Sequence, residues 1–264
     1  MMTGTTSRFS LAVTAATLLF ILLPLAVTVA ISVSDTPFVT FPPRGFTLAW
    51  YGKVLADPDF LASLRLSLSL AAGSTAGALL FGVPAAVALQ RCDFPGRGAT
   101  AGLLLSPLIF PVLITGLALL RLFSLWGSRD AVVNLLIAHV LVTAPYVVRT
   151  VAASLALADR TLEEAARTLG ANHWRVFWRI TVPQIMPGLI AGAVFAFLIS
   201  FDNFPISLWL ADAPHFPLPL LVYSRVESVF EPSVAAMSTL MIAIALGLVL
   251  ILERVAGLRR AIAM

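Results

Sequence analysis

Residues 163–188 read EEAARTLGANHWRVFWRITVPQIMPG. Glu163, Glu164, Arg167, Arg175 and Arg179 crowd into this stretch, while the segments on either side are almost purely apolar. How those flanks are read decides the fold. The chain of 264 residues is 59% hydrophobic and 11% charged, with a mean hydropathy of +0.98. A soluble domain carries about 25% charged residues. The deficit comes from repeated apolar runs of about 20 residues, long enough to cross about 30 Å of hydrocarbon as helix. This composition implies an all-α, polytopic membrane bundle and leaves no room for a soluble domain of ordinary size.

Six spans are expected, at Phe9–Val33, Ser63–Gln90, Ala99–Phe123, Ala131–Ala153, Pro187–Leu210 and Pro232–Glu253. The first exceeds the core of a signal peptide, about 7–15 residues, and reads as an uncleaved anchor, with cleavage near Ala30 as the alternative. Prolines at 24, 84, 107, 111 and 145 are tolerable because neighbouring helices can satisfy the freed carbonyls. Small residues gather in AAGSTAGALLFG (71–82) and GLIAGA (188–193), which suits close helix–helix packing. Counted by alternate sides, eleven basic residues, Arg8, Arg259 and Arg260 among them, face six on the other side. The positive-inside rule places the richer side, with both termini, in the cytoplasm. Residues 159–184 then form the longest cytoplasmic loop, opposite outer loops at 34–62 and 211–231 that are rich in proline and aromatics.

Within the charged loop, Thr161 and Glu164 fit a capping box at the start of a short helix. Gly170 can adopt the left-handed conformation that closes it. Asn172 suits the N-cap of a second helix. There Trp174, Phe177 and Trp178 share one face, with Arg175 and Arg179 on another. Pro183 and Pro187 are expected to stop this second helix, leaving it amphipathic along the membrane surface. Ala165 and Ala166 give the first helix a slim flank able to enter a groove on another protein. An ordinary interfacial loop, its arginines on lipid phosphates, fits the same pattern.

Spacing then separates the two readings. Glu164-Ala165-Ala166, three residues, Gly170, nine residues and Ile180-Thr181-Val182-Pro183 resemble the EAA motif of ABC importer permeases, EAA-x3-G-x9-I-x-L-P, with Val182 in place of leucine. GFTLAWYGKVLADPDF, SLRLSLSLA, ALQRCDFPGRG and SFDNFPISLWL are similar to permeases of the spermidine/putrescine type, so the resemblance covers nearly the whole chain. It implies a type I importer permease fold of one transmembrane domain in a bacterial cytoplasmic (inner) membrane. It also implies that Glu163, Glu164, Ala165, Ala166, Gly170, Ile180 and Pro183 form the coupling element that docks on an ATP-binding subunit. The partners implied are an ATPase dimer, a second permease (a different chain, with a homodimer as the alternative) and an extracytoplasmic substrate-binding protein that meets the outer loops.

No G-x-x-x-x-G-K-[ST] phosphate loop occurs, so ATP and Mg²⁺ are expected on the partner ATPase, with no cofactor in this chain. His139, His173 and His215 are far apart and Cys92 is the only cysteine, which leaves no metal site and no catalytic constellation to expect. The basic residues lie scattered in short loops, a pattern of topology and not of nucleic-acid binding. Asp202 is the acid placed within a span, where a carboxylate is costly and usually faces a pathway or a partner. A polyamine is a flexible cation, so Asp202 with Asn203, Phe201 and Trp209 could form a station offering charge, hydrogen bonds and cation–π contacts. Asn203 stands where the resemblance leads one to expect a second acid. Other solutes (an amino-acid derivative, a phosphonate, iron) fit the same scaffold. An ion-coupled secondary transporter fits less well, because no internal repeat is visible and Asp202 is alone. An intramembrane enzyme lacks its catalytic residues.

Overall fold

A computed structural model of the protein describes residues 8–228 and 231–256. Arg259 and Arg260, used above for orientation, and the chain ends lie outside the described residues. Twelve α-helices follow one another, with no strand among the described residues. They are α1 (Arg8–Ser32), α2 (Ala49–Ala56), α3 (Pro58–Arg91), α4 (Arg97–Leu105), α5 (Val112–Trp126), α6 (Ala131–Leu157), α7 (Arg160–Thr168), α8 (His173–Val176), α9 (Val182–Phe201), α10 (Phe204–Leu210), α11 (Leu218–Ser228) and α12 (Pro232–Ala256). Five helical rods are long and apolar enough to cross a membrane: Phe9–Ser32, Pro58–Arg91, Ala131–Leu157, His173–Phe201 and Pro232–Ile251. A sixth crossing requires counting a bent pair as one span.

That bent pair replaces the straight third span expected at Ala99–Phe123. Residues Arg97–Leu108 and Val112–Trp126 meet at 103°. Pro111 lacks an N–H, and its ring disfavours the helical conformation at Phe110, so the rod breaks there. The fifth span departs from expectation at both ends. Pro183 and Pro187 do not stop the second loop helix; His173–Phe201 is one rod of 29 residues. It continues through a π-turn at Phe177–Thr181, in which the Val182 N–H bonds the Phe177 carbonyl five residues back. The wider turn precedes Pro183, which sits in the first turn of α9 and needs no N–H partner. At the far end the rod stops at Phe201 instead of running to Leu210. Asn203 then starts α10 by accepting from the Ile206 N–H at 3.1 Å.

The described residues fall into two compact units, one built from the N-terminal 61 residues with 222–244 and the other from 62–221 with 245 onward. In the first, the segment after α1 folds back on itself: Asp35 N–H bonds Arg44 O at 2.8 Å and Trp50 Nε1 donates to Ser34 O at 2.8 Å. The apolar side chains of α1 from Phe9 to Ala26 are exposed. Arg225 reaches Asp57 at 3.1 Å and Asp59 at 3.4 Å, and Lys53 bonds Glu231 at 2.6 Å.

The second unit is centred on α6. Small residues let its neighbours approach: a Cβ at Gly77 of α3 would lie 2.6 Å from the Val140 side chain. One at Gly188 of α9 would collide with the Ser154 side chain and lie 2.7 Å from the Thr150 carbonyl. Ala78, Ala86, Val147, Val151, Ile185 and Ala196 are fully buried in this core. A second cluster joins Leu70, Leu119, Leu135, Ala138, Ile206 and Leu210, fastening α10 to α5 and α6.

Candidate functional site

The helix α7 is closed at both ends by local chemistry. Asp159, not Thr161, is its N-cap: Asp159 Oδ1 accepts from the Thr161 N–H at 2.9 Å and from the Thr161 hydroxyl at 2.8 Å. The capping box is displaced because the helix already begins at Arg160, which puts Thr161 inside the first turn and leaves the cap position to Asp159. The same two bonds, the side-chain one first, hold the Asp159 carboxyl below the usual carboxylate range. At the other end Gly170 takes φ +83°. Its N–H bonds Arg167 O at 2.9 Å, while the Ala171 N–H bonds Ala166 O at 3.0 Å. This is the paired closure that a left-handed residue permits. Asn172 caps the next helix as expected, accepting from the Arg175 N–H at 2.8 Å.

The two adjacent glutamates face opposite ways. Glu163 is buried, and its Oε1 takes Arg91 Nη2 at 3.1 Å and the Thr181 hydroxyl at 3.1 Å. Arg160 Nη2 donates to the Gln90 carbonyl at 2.6 Å, and Asp159 N–H donates to Gln184 Oε1 at 2.8 Å. Four bonds therefore root α7 on the end of α3 and the start of the 173–201 rod. Glu164 points outward, exposed, with no side-chain partner among the described residues. Ala165 is exposed beside it, Ala166 is half-buried, and Leu162 and Leu169 stand uncovered. Ile180 is half-buried in the π-turn, and Pro183 is exposed in the first turn of α9. Sequence reasoning missed Arg91, Thr181 and Gln184. An arginine at the inner end of a span reads as a topology signal, and nothing local links it to a glutamate 72 residues away.

Of the four residues expected to share a pathway station, the structure brings two together. Asp202 lies at the break between α9 and α10, not within a continuous span, and its side chain is exposed. Asp202 and Asn203 help line an open cleft of about 350 Å³ with Val112, Leu198, Ile199 and Pro205. Phe201 is buried and stacked on Phe197, with centroids 5.9 Å apart. Trp209 packs against α5, where a Cβ at Gly116 would come within 2.9 Å of its indole. Neither ring is in the cleft wall, so cation–π contact there has no support. His139 Nδ1 pairs with Ser200 Oγ at 2.7 Å, and His215 with Asp212 at 2.7 Å. Among the described residues no group of three or more potential metal ligands comes together.

Residues 78–259 match the family described as binding-protein-dependent transport system inner membrane component. The chain belongs to this family. It is a multi-pass transport subunit, a permease of an ABC importer. It is 34% identical over 230 residues to the putrescine transport system permease protein PotI of Escherichia coli (strain K12), covering 84% of this chain and 82% of that one. To the spermidine/putrescine transport system permease protein PotC of the same strain it is 32% identical over 213 residues, 81% of each chain. In fold it is similar to a chain of a bacterial ABC transporter involved in the import of alginate, with a TM-score of 0.69 at 19% identity, covering 97% of this chain and 98% of that chain.

Proposed function

We propose that this permease couples to a separate ATPase dimer through α7 and forms half of a polyamine import pathway with a second permease. The coupling reading rests on one observation: α7 is rooted on its Glu163 side and bare on its Glu164, Ala165 and Leu169 side. A helix held firmly by its own protein and uncovered opposite is suited to be pushed. On this reading the chain is one transmembrane domain with residues 159–184 and both termini in the cytoplasm. ATP and Mg²⁺ belong to the partner, and the outer loops receive a substrate-binding protein. Gly170 fixes the turn, while Ile180 and Pro183 carry the motion into α9.

The polyamine assignment is supported by the likeness to PotI and PotC and by the exposed Asp202 at the cleft. A flexible cation needs acceptors and charge, and Asp202 with Asn203 supplies both. The test is uptake of labelled putrescine at limiting concentration by the reconstituted transporter. Asp202→Asn should lower uptake about tenfold, the size of losing one charged hydrogen bond, while the ATPase still co-purifies. Equal uptake by the two proteins removes Asp202 from the pathway. No putrescine or spermidine uptake by the parent overturns the substrate class.

A further inference from the structure

Chain connectivity links α7 to α6 and, through α8, to α9, but not to α3. The contacts with α3 are made by side chains alone. Glu163 Oε1 receives both Arg91, the last residue of α3, and Thr181 of the π-turn, so a single oxygen ties three elements together. The Arg160 guanidinium bonds the carbonyl of Gln90, one of the last-turn acceptors that a helix cannot satisfy internally. Both members of the ion pair are largely withdrawn from water, with side chains 14% and 7% exposed. A pair so placed is less screened than a surface pair and holds a defined geometry.

Arg91 Nε and Gln184 Nε2 are buried with no hydrogen-bond partner among the described residues, as are His139 Nε2 and Trp209 Nε1 elsewhere. Beyond the node, α3 continues as helix within the second unit, with Pro84 seven residues from Arg91.

We propose that Arg91, Glu163 and Thr181 form a strut that delivers displacement of α7 to α3, making α3 a second lever beside α9. This rests on α7 being the helix that docks the ATPase. Arg91 and Thr181 are positioning residues here, acting through Glu163 and touching no substrate.

Cys92, exposed and next to Arg91, is a built-in reporter of the α3 end. The experiment uses the complete transporter in lipid nanodiscs, with partner subunits free of cysteine. The maleimide labelling rate of Cys92 is compared between nucleotide-free and vanadate-trapped states. In the parent the two rates should differ by about threefold, the thiol's surroundings having changed. Glu163→Gln and Thr181→Val should bring the ratio close to one, and Arg91→Lys should keep part of it. A second reporter, Met186→Cys on α9 in a Cys92→Ser background, should keep its own response in both variants, which a general collapse of the fold would abolish. An undiminished Cys92 ratio in Glu163→Gln and Thr181→Val overturns the strut, as does loss of the Met186 response together with that of Cys92. A photo-crosslinker at Ala165 separates the premise: an ATPase adduct alongside an undiminished Cys92 ratio sinks the strut alone, and no adduct in the parent overturns the docking reading and the strut with it.

Discussion

The two ends of α3 carry ion pairs of opposite design. At Arg91 the pair is buried and two donors converge on one oxygen of Glu163. At the other end Arg225 spreads over two acids, Asp57 and Asp59, whose side chains are 22% and 74% exposed. The first arrangement costs desolvation and is tolerable only while every partner stays in place. The second exchanges protein contacts for water at little cost. Burial explains the difference: a pair withdrawn from water holds one geometry, while a pair open to water needs only attraction.

The largest expected effect breaks this contrast directly. Removing one member of a buried pair leaves an uncompensated charge, so Glu163→Ala should lower stability by roughly 3–5 kcal/mol. Arg225→Ala should cost less than about 1 kcal/mol, and less still at high salt. Thermal unfolding of the purified protein in mild detergent at two salt concentrations measures both. Equal losses, or a salt-sensitive loss at Glu163, would dissolve the distinction between the two ends.

A middle-sized effect sharpens it at the end of the molecule that carries α7. Gly188 is required for space, because a Cβ would meet the Ser154 side chain and the Thr150 carbonyl. Gly170 is required for backbone, having φ +83° and nothing within 4 Å of an added Cβ. Gly188→Ala should therefore cost about 1–3 kcal/mol by overpacking α6 against α9, and Ser154→Gly should recover part of that. Gly170→Ala should cost about 1 kcal/mol through the left-handed strain, with no neighbouring substitution able to recover it. Rescue of Gly170→Ala by trimming any side chain would mean that its constraint is packing after all.

These cases mark how far the residues could be read without coordinates. Apolar runs announced the rods, because that signal is local and periodic. Gly170 and Asn172 behaved as their chemistry suggests, since caps and left-handed turns are decided within a few residues. The break at 109–111, the π-turn before Pro183 and the restart at Asn203 were misread. A proline in an apolar run is compatible with a kink, a wide turn or a full break, and only packing selects among them. Glu163 was named for the right loop but not for its direction. Two adjacent acids look alike in sequence, and the distant partner Arg91 decides which one turns inward. Phe201 and Trp209 lie outside the Asp202 cleft for the same reason: proximity in the chain to Asp202 says little about which way a ring points across a helix break.

The smallest expected effect concerns the clasp between Lys53 and Glu231. Lys53 is 58% exposed on its side chain and Glu231 21%, so the pair is worth about 0.2–1 kcal/mol. The bond from Lys53 holds the Glu231 carboxyl below its ordinary value of 4.5 against an opposing push from burial, and the Ser233 hydroxyl and nearby positive charge help it. A carboxyl lowered in the folded state stabilises fully above the unfolded value, and that contribution is lost as pH falls through the folded one. Glu231→Gln should thus cost the same few tenths of a kcal/mol from pH 8 down to about pH 5.5, and its cost should fade only below the ordinary carboxylate range. Thermal unfolding of parent and variant across this pH series checks the sign. A cost that instead grew as the solution became more acidic would mean that Glu231 is stabilised in its protonated form and that Lys53 does not hold it. A cost that vanished in high salt at neutral pH, while the Glu163→Ala loss persisted, would mark the Lys53–Glu231 pair, like Arg225 with Asp57 and Asp59, as replaceable and the Arg91 junction as fixed.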